Sequence, residues 1–276
     1  MANQIALRLL GARGTAVVVG RRQHVVLYEQ GAAAVNSAVQ WHLVDDDDGT
    51  LASSAVAGAV AATAHHGPEV SAVFVEDTHM PAGGAPWPEG RLAAVVDAAA
   101  GRPVHLDGAR LFNAEVATGV SVADRAAPAT TVMCCLSKGL AAPVGSLLAG
   151  TDAAMAAAVD ERKRLGGAMR QAGVIAAAGL VALEEMVERL EEDHVRARRL
   201  AEVVAERWPE AGLDASTVST NVVLFTHPDP VALIAGLADA GVLAGTIAPG
   251  VVRLMTHVDV DDCALDHAIA VLRSTF

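Results

Sequence analysis

The feature that most constrains this chain is an alternation. Short, almost continuously apolar runs are separated by stretches with helical spacing. Residues 16–19, 39–44, 71–75, 103–106, 131–136 and 144–149 read as strands, and 52–64 and 91–100 as helices. The chain also opens in helical register, with Met1, Ile5 and Leu9 on one face and Ala2, Ala6 and Leu10 on the next. A strand wetted on one side would show a polar residue at every second position. These do not, so they belong to a mostly parallel sheet covered on both faces. Ligands of such sheets sit beyond the carboxyl ends of the strands.

From 170 to 208 the pattern is helical throughout. Leu183, Val187 and Leu190 form one stripe, Glu185 with Arg189 and Glu192 with Arg196 are i,i+4 pairs in the favourable order, and Pro209 ends the run. A strand (221–225), a helix (230–240), a strand (251–256) and a helix (261–272) follow. The expected fold is α/β. Residues 1–182 form a large domain around the parallel sheet, and residues 183–276 a small C-terminal α/β domain with its connecting helices. A chain of 276 residues is long enough for both.

Charge excludes some functions. The formal net charge is −12 with no basic patch, which argues against nucleic acid as a partner and against anionic membranes. No apolar run is long enough to span a bilayer, since the blandest stretch, 52–64, is broken by Ser53, Ser54 and Thr63. Asn3, Gln4 and Arg8 stand where a signal peptide would be greasy, so the protein is read as cytoplasmic. Cys134, Cys135 and Cys263 fit neither a metal motif nor a disulfide framework and are read as buried thiols. The run Asp45 to Asp48 before Gly49 lacks the alternating ligands of a calcium loop and reads as a solvated turn.

One count points to chemistry. Of the 20 basic residues only Lys138 and Lys163 are lysine; the rest are arginine. Arginine never becomes a neutral amine, so a lysine retained in this background is a candidate for a covalent role. Lys138 follows the apolar run ending Cys135-Leu136-Ser137 and precedes Gly139, a residue that lets backbone approach a bound group. A second apolar run, Val104-His105-Leu106, ends in Asp107, with Arg110 three residues on. A pyridoxal cofactor needs such a carboxylate to keep its ring nitrogen protonated. The same patterns also fit a strand-end Asp capping a turn and a lysine snorkelling from a loop.

The segment His105-Leu106-Asp107-Gly108-Ala109-Arg110-Leu111-Phe112-Asn113-Ala114 resembles the signature around the pyridine-binding aspartate of the threonine aldolase family. Leu136-Ser137-Lys138-Gly139-Leu140 with Pro143-Val144-Gly145-Ser146 resembles that family's cofactor-lysine segment. Glu76-Asp77-Thr78-His79, Gly166-Gly167-Ala168-Met169-Arg170-Gln171 and Val252-Arg253-Leu254-Met255-Thr256-His257 resemble three further family motifs, in order and over the whole chain. The resemblance implies an aspartate-aminotransferase-like fold, pyridoxal 5'-phosphate as cofactor, an amino acid as substrate, and a homotetramer or homodimer. It implies that Lys138 holds the cofactor, that Asp107 pairs with its ring nitrogen, and that His24 stacks on the ring and moves a proton. Arg253 with Arg110 would grip the substrate carboxylate as planar forks. Ser137, Lys163 and Arg170 would serve the phosphate, in part from a neighbouring subunit. His79 is open between a structural and a site-lining place, and His65 and His66 read as solvated loop residues.

The implied reaction is cleavage of a 3-hydroxy amino acid such as threonine to glycine and an aldehyde. Two rivals stand beside it: a β-eliminating lyase of the same fold, and a cofactor-poor relative acting as a subunit partner. A metal-dependent aldolase is set aside, because no clustered His/Asp ligand spacing is visible and no metal is expected. Ala141 and Ala168 replace usual glycines of the family, and Met80 a usual asparagine. The family places a Ser-Gly-Thr phosphate loop and an arm before the helix that opens here with Met1-Ala2-Asn3-Gln4. The expectation is therefore of an N-terminally incomplete chain that binds cofactor weakly.

Overall fold

The structure, a computed structural model, describes residues 1–62 and 66–274. Its strands are β1 Ala16–Gly20, β2 Gln40–Val44, β3 Val70–Glu76, β4 Val104–Gly108, β5 Thr131–Cys135, β6 Ser146–Gly150, β7 Val222–Thr226, β8 Gly245–Ala248 and β9 Val251–Met255. Its helices are α1 Ala2–Leu10, α2 His24–Leu27, α3 Ala32–Ser37, α4 Ser53–Ala62, α5 Arg91–Ala98, α6 Leu111–Thr118, α7 Val122–Ala126, α8 Asp152–Arg164, α9 Gly173–Glu185, α10 Leu190–Arg207, α11 Pro230–Asp239 and α12 Asp262–Ser274.

The first six strands form one sheet in the order β2-β1-β3-β4-β5-β6, parallel except for β6, which runs antiparallel to β5. The expected parallel α/β sheet is therefore present. Its central strands β1, β3 and β4 are buried on both sides because side chains alternate between two covered faces, while the edge strands β2 and β6 are half-buried or exposed. Val18, Val73, Val75, Val104 and Leu106 pack with Val56 of α4, Val95 of α5 and Leu111 of α6. Val17, Val19, Ala72 and Phe74 pack with Ala6 and Leu7 of α1 and Ala33 of α3. That second face also receives His105, whose ring lies 4.6 Å from that of Phe74. By the same alternation it receives Asp107.

The C-terminal strands form a second, antiparallel sheet in the order β7-β9-β8. Its core joins Leu200 and Val204 of α10, Trp208 just past its end, Leu233 and Leu237 of α11, and Leu265 and Leu272 of α12. Among the described residues no helix is long and apolar enough to cross a membrane.

Several expectations need correction. Asp107 lies inside β4, not just beyond it, because the ladder with β3 runs on to pair Glu76 with Asp107. The helical run from 170 to 208 breaks between Glu185 and Leu190. Past that break Arg189 pairs forward with Asp193 at 2.6 Å, not back with Glu185; Glu192 does meet Arg196, at 3.2 Å. Strand β8 was not expected, since its four residues carry no pattern long enough to read. The helix expected over 52–64 is seen to Ala62; its last two positions and His65 lie outside the described residues, while His66 is exposed. Ala141 takes φ 58°, the left-handed region that favours glycine. Gly139 serves packing: a Cβ there would stand 2.8 Å from a methyl of Leu190.

The acidic run is only partly solvated. Asp46 is wholly buried, accepting from the Arg22 amide at 3.0 Å and bonding the His79 ring at 3.0 Å. Gly20 makes this approach possible, because a Cβ at that position would collide with the Asp46 carboxylate. Burial opposes ionisation of Asp46, yet the bonds from His79 and Arg22 prevail and hold its pKa below the usual value. His79 thereby clamps the 45–50 loop. The thiols differ from expectation too. Cys263 is exposed, and Cys134 and Cys135 are only half-buried because β5 lies next to the edge strand β6.

Candidate active site

A cavity of about 600 Å³ opens where α1, α2 and the ends of β3, β4 and β5 meet the small sheet. Its wall includes His24, Glu29, Glu76, Asp107, Arg110, Cys135, Lys138 and Arg253. Five of the eight residues assigned from sequence therefore converge here: Lys138, Asp107, His24, Arg110 and Arg253. They come from the end of β5, from β4, from α2, from the turn before α6 and from β9. The other three do not line it. Ser137 is exposed, and its hydroxyl faces the Gly145 carbonyl at 3.4 Å, since consecutive residues leaving β5 point apart. Lys163 sits on the exposed side of α8 and Arg170 in the exposed turn before α9.

Asp107 is 5 % exposed, with Oδ1 accepting from the Ala109 amide at 3.1 Å and Oδ2 from the Asn3 side-chain amide at 2.7 Å. A buried carboxylate held by neutral donors leaves its charge for a cationic partner. Across the ladder Glu76 accepts from the His24 amide at 2.6 Å and the Met80 amide at 3.1 Å. This carboxylate staples the start of α2 to the end of β3 and so fixes where His24 stands. Burial raises the Glu76 pKa, and the facing Asp107 raises it further.

His24 carries its ring at the cavity mouth, with Nδ1 3.2 Å from Glu29 Oε1. The bond to Glu29 raises the His24 pKa above 6.5, with Asp107 and Glu76 adding to it. Glu29 is pushed down to about 2: burial opposes this, but the bonds from His24, Asn3 and Gln4 outweigh it. On the far wall Arg110 is half-buried, and its buried Nε has no partner among the described residues. Burial, and after it the nearby Arg253 guanidinium, lower its pKa to about 10. Two neighbouring guanidiniums, one with an unused donor, make a site that wants an anion with two oxygens.

His24, Glu29 and Asp107 also offer ligand atoms within 4.8 Å of one another. The three come from different elements, so no spacing in the sequence displays this grouping. The Asn3 amide already bridges the two carboxylates. Sequence reasoning gave no role to Asn3, Glu29 or Glu76. A signal existed for two of them. Asn3 interrupts the buried face of α1, and Glu76 ends the apolar run of β3 as Asp107 ends that of β4.

The donor set fits pyridoxal phosphate: an amine, a buried carboxylate, an imidazole and an anion-seeking arginine pair line one cavity. The profile of the beta-eliminating lyase family matches residues 1–227. The low specificity L-threonine aldolase of Escherichia coli K12 is 37% identical over 264 residues, covering 94% of this chain and 77% of that protein. The threonine aldolase of Leishmania major superposes with a TM-score of 0.78 at 20% identity, over 98% of this chain and 80% of the other. An aspartate aminotransferase of Thermus thermophilus superposes with a TM-score of 0.68 at 17% identity, over 99% and 77%, which speaks to the fold alone.

Proposed function

The chain belongs to the beta-eliminating lyase family, among its threonine aldolases, and from that premise we propose that it cleaves threonine and related 3-hydroxy amino acids to glycine and an aldehyde, using pyridoxal 5'-phosphate. The observation that carries this reading is the pairing, in one cavity, of Lys138 and Asp107 with the Arg110–Arg253 couple. The cofactor, when bound, supplies an electron sink for the bond that breaks at the substrate α-carbon. The chain supplies the rest. The Lys138 amine holds the cofactor covalently. Asp107 stabilises positive charge at the ring nitrogen. Arg253 and Arg110 take the substrate carboxylate between them and so orient the amino acid. His24 would stand against the bound cofactor and exchange a proton with the substrate hydroxyl through its ring nitrogen. Ser137, Lys163 and Arg170 are assigned to the phosphate, and the exposed positions of the last two suit delivery into the site of a second copy.

In this reading residues 1–182 bind the cofactor and residues 183–276 bring Arg253 to it. The working form is a cytoplasmic homodimer or homotetramer. Exposed Val174, Leu180 and Val181 on α9 give such an assembly apolar surface to bury. Product analysis after incubation with L-threonine and the cofactor tests the reaction. Glycine and acetaldehyde in equal amounts support it; ammonia and a keto acid would assign the chain to β-elimination.

A further inference from the structure

Helix α1 buries two amide side chains, Asn3 at 4 % and Gln4 at 6 % exposed, on a face otherwise made of Ala2, Ile5, Ala6 and Leu7. Buried amides are costly unless every polar atom is matched. Asn3 is matched completely. Its Nδ2 donates to Glu29 Oε1 at 2.9 Å and to Asp107 Oδ2 at 2.7 Å. Its Oδ1 lies 3.1 Å from Nε2 of His105, whose Nδ1 is 2.8 Å from the Thr131 hydroxyl.

The direction of this chain of bonds can be worked out. Burial pushes the His105 pKa down to about 3, so the ring is neutral and carries one proton. Asn3 Nδ2 must face the carboxylates, because an amide oxygen there would meet two acceptors. Its Oδ1 therefore faces His105 and needs a donor. His105 then carries its proton on Nε2, and Nδ1 accepts from Thr131. Both protons of the Asn3 amide are consumed, one by each carboxylate. Glu29 in turn holds the His24 ring at 3.2 Å.

We propose that Asn3 is the positioning residue of this site: one amide sets the ring-nitrogen carboxylate Asp107 and, through Glu29, the ring-facing His24 in a single arrangement. The proposal rests on the pyridoxal-phosphate reading given above. It explains why asparagine stands at this point of an apolar helix face. Alanine would leave two neighbouring carboxylates without their shared donor. Aspartate would keep the shape and set a third carboxylate between them. Glutamine would carry the amide one methylene too far.

The test compares the full chain with Asn3→Ala and Asn3→Asp, each read in two ways. First, proton NMR follows the His24 ring titration without cofactor. Second, pyridoxal phosphate is titrated in, and the visible band of the bound form is recorded against pH. Both variants should move the His24 midpoint away from the wild-type value. Both should weaken cofactor affinity by about tenfold or more, the worth of one hydrogen bond to a charged group, and shift the pH at which the bound band changes. If Asn3→Ala does not fold, Asn3→Asp carries the test, since its shape is unchanged. Folded variants with wild-type midpoint, affinity and band overturn the proposal while the functional reading stands. A wild-type chain that gives no cofactor band overturns both.

Discussion

The two faces of the six-stranded sheet are equally dry and chemically opposite. On one, Val104 and Leu106 of β4 lie among the apolar side chains of Val73, Val75 and Leu111. On the other, His105 and Asp107 of the same strand are just as buried, at 0 % and 5 %. There every polar atom of Asn3, His105 and Asp107 described above has a partner, and only the Ala109 amide comes from the same stretch of chain. Burial alone therefore does not separate scaffold from site. What separates them is whether the buried atoms are held by shape or by directed bonds.

Substitutions on adjacent residues of β4 break this comparison most sharply. Leu106→Ala should cost about 2–5 kcal/mol of stability, as deletion from a packed core does, with the turnover of the surviving folded protein unchanged. Denaturant unfolding measures the first quantity and initial rates the second. Asp107→Asn should do the reverse. It keeps the shape and a near-native melt but slows turnover about a hundred- to a thousandfold, the size of effect seen when a charge-stabilising group is removed. Similar losses of stability from both changes would erase the contrast between the faces.

A smaller effect comes from the opposite wall of the cavity. Arg253→Leu should raise KM for L-threonine by about 10- to 100-fold, the worth of a hydrogen bond between charged groups, with a lesser change in kcat. An unchanged KM would remove Arg253 from substrate binding. The smallest effect is in titration. Glu29→Gln should bring the His24 midpoint down towards 6.5, because the bond that raises it is lost. The pair's contribution to stability has definite limits. His24, raised on folding, contributes fully below 6.5 and loses this as pH climbs through its higher folded value. Glu29, depressed on folding, contributes above 4.5 and loses this as pH falls through about 2. The stability difference between wild type and Glu29→Gln should therefore be largest between these two ordinary values and shrink on either side.

The apolar face was legible in the sequence because strand spacing and hydrophobic runs report burial directly. So were Asp107 and Lys138, each delivered at the end of such a run, and Lys138 also by the scarcity of lysine. His24 and Arg253 became legible only through family resemblance, since an isolated histidine or arginine carries no spacing signal, whereas Arg110 stood out three residues after Asp107. Asn3, Glu29 and Glu76 were missed because their meaning lies in three-dimensional pairing. Asn3 and Asp107 are 104 residues apart in the chain, and only the fold sets one amide between two carboxylates. Asp46 was misread for the same reason. A run of four acids looks solvated until one of them turns inward to meet His79.

The central claim is that the amine at the end of β5 holds the cofactor. The most direct measurement is to incubate the chain with pyridoxal phosphate, reduce with borohydride, and map the modified peptide by mass spectrometry. The account predicts a single stoichiometric adduct on Lys138 that disappears in Lys138→Ala. An adduct on Lys163, or labelling that survives that substitution, would contradict it.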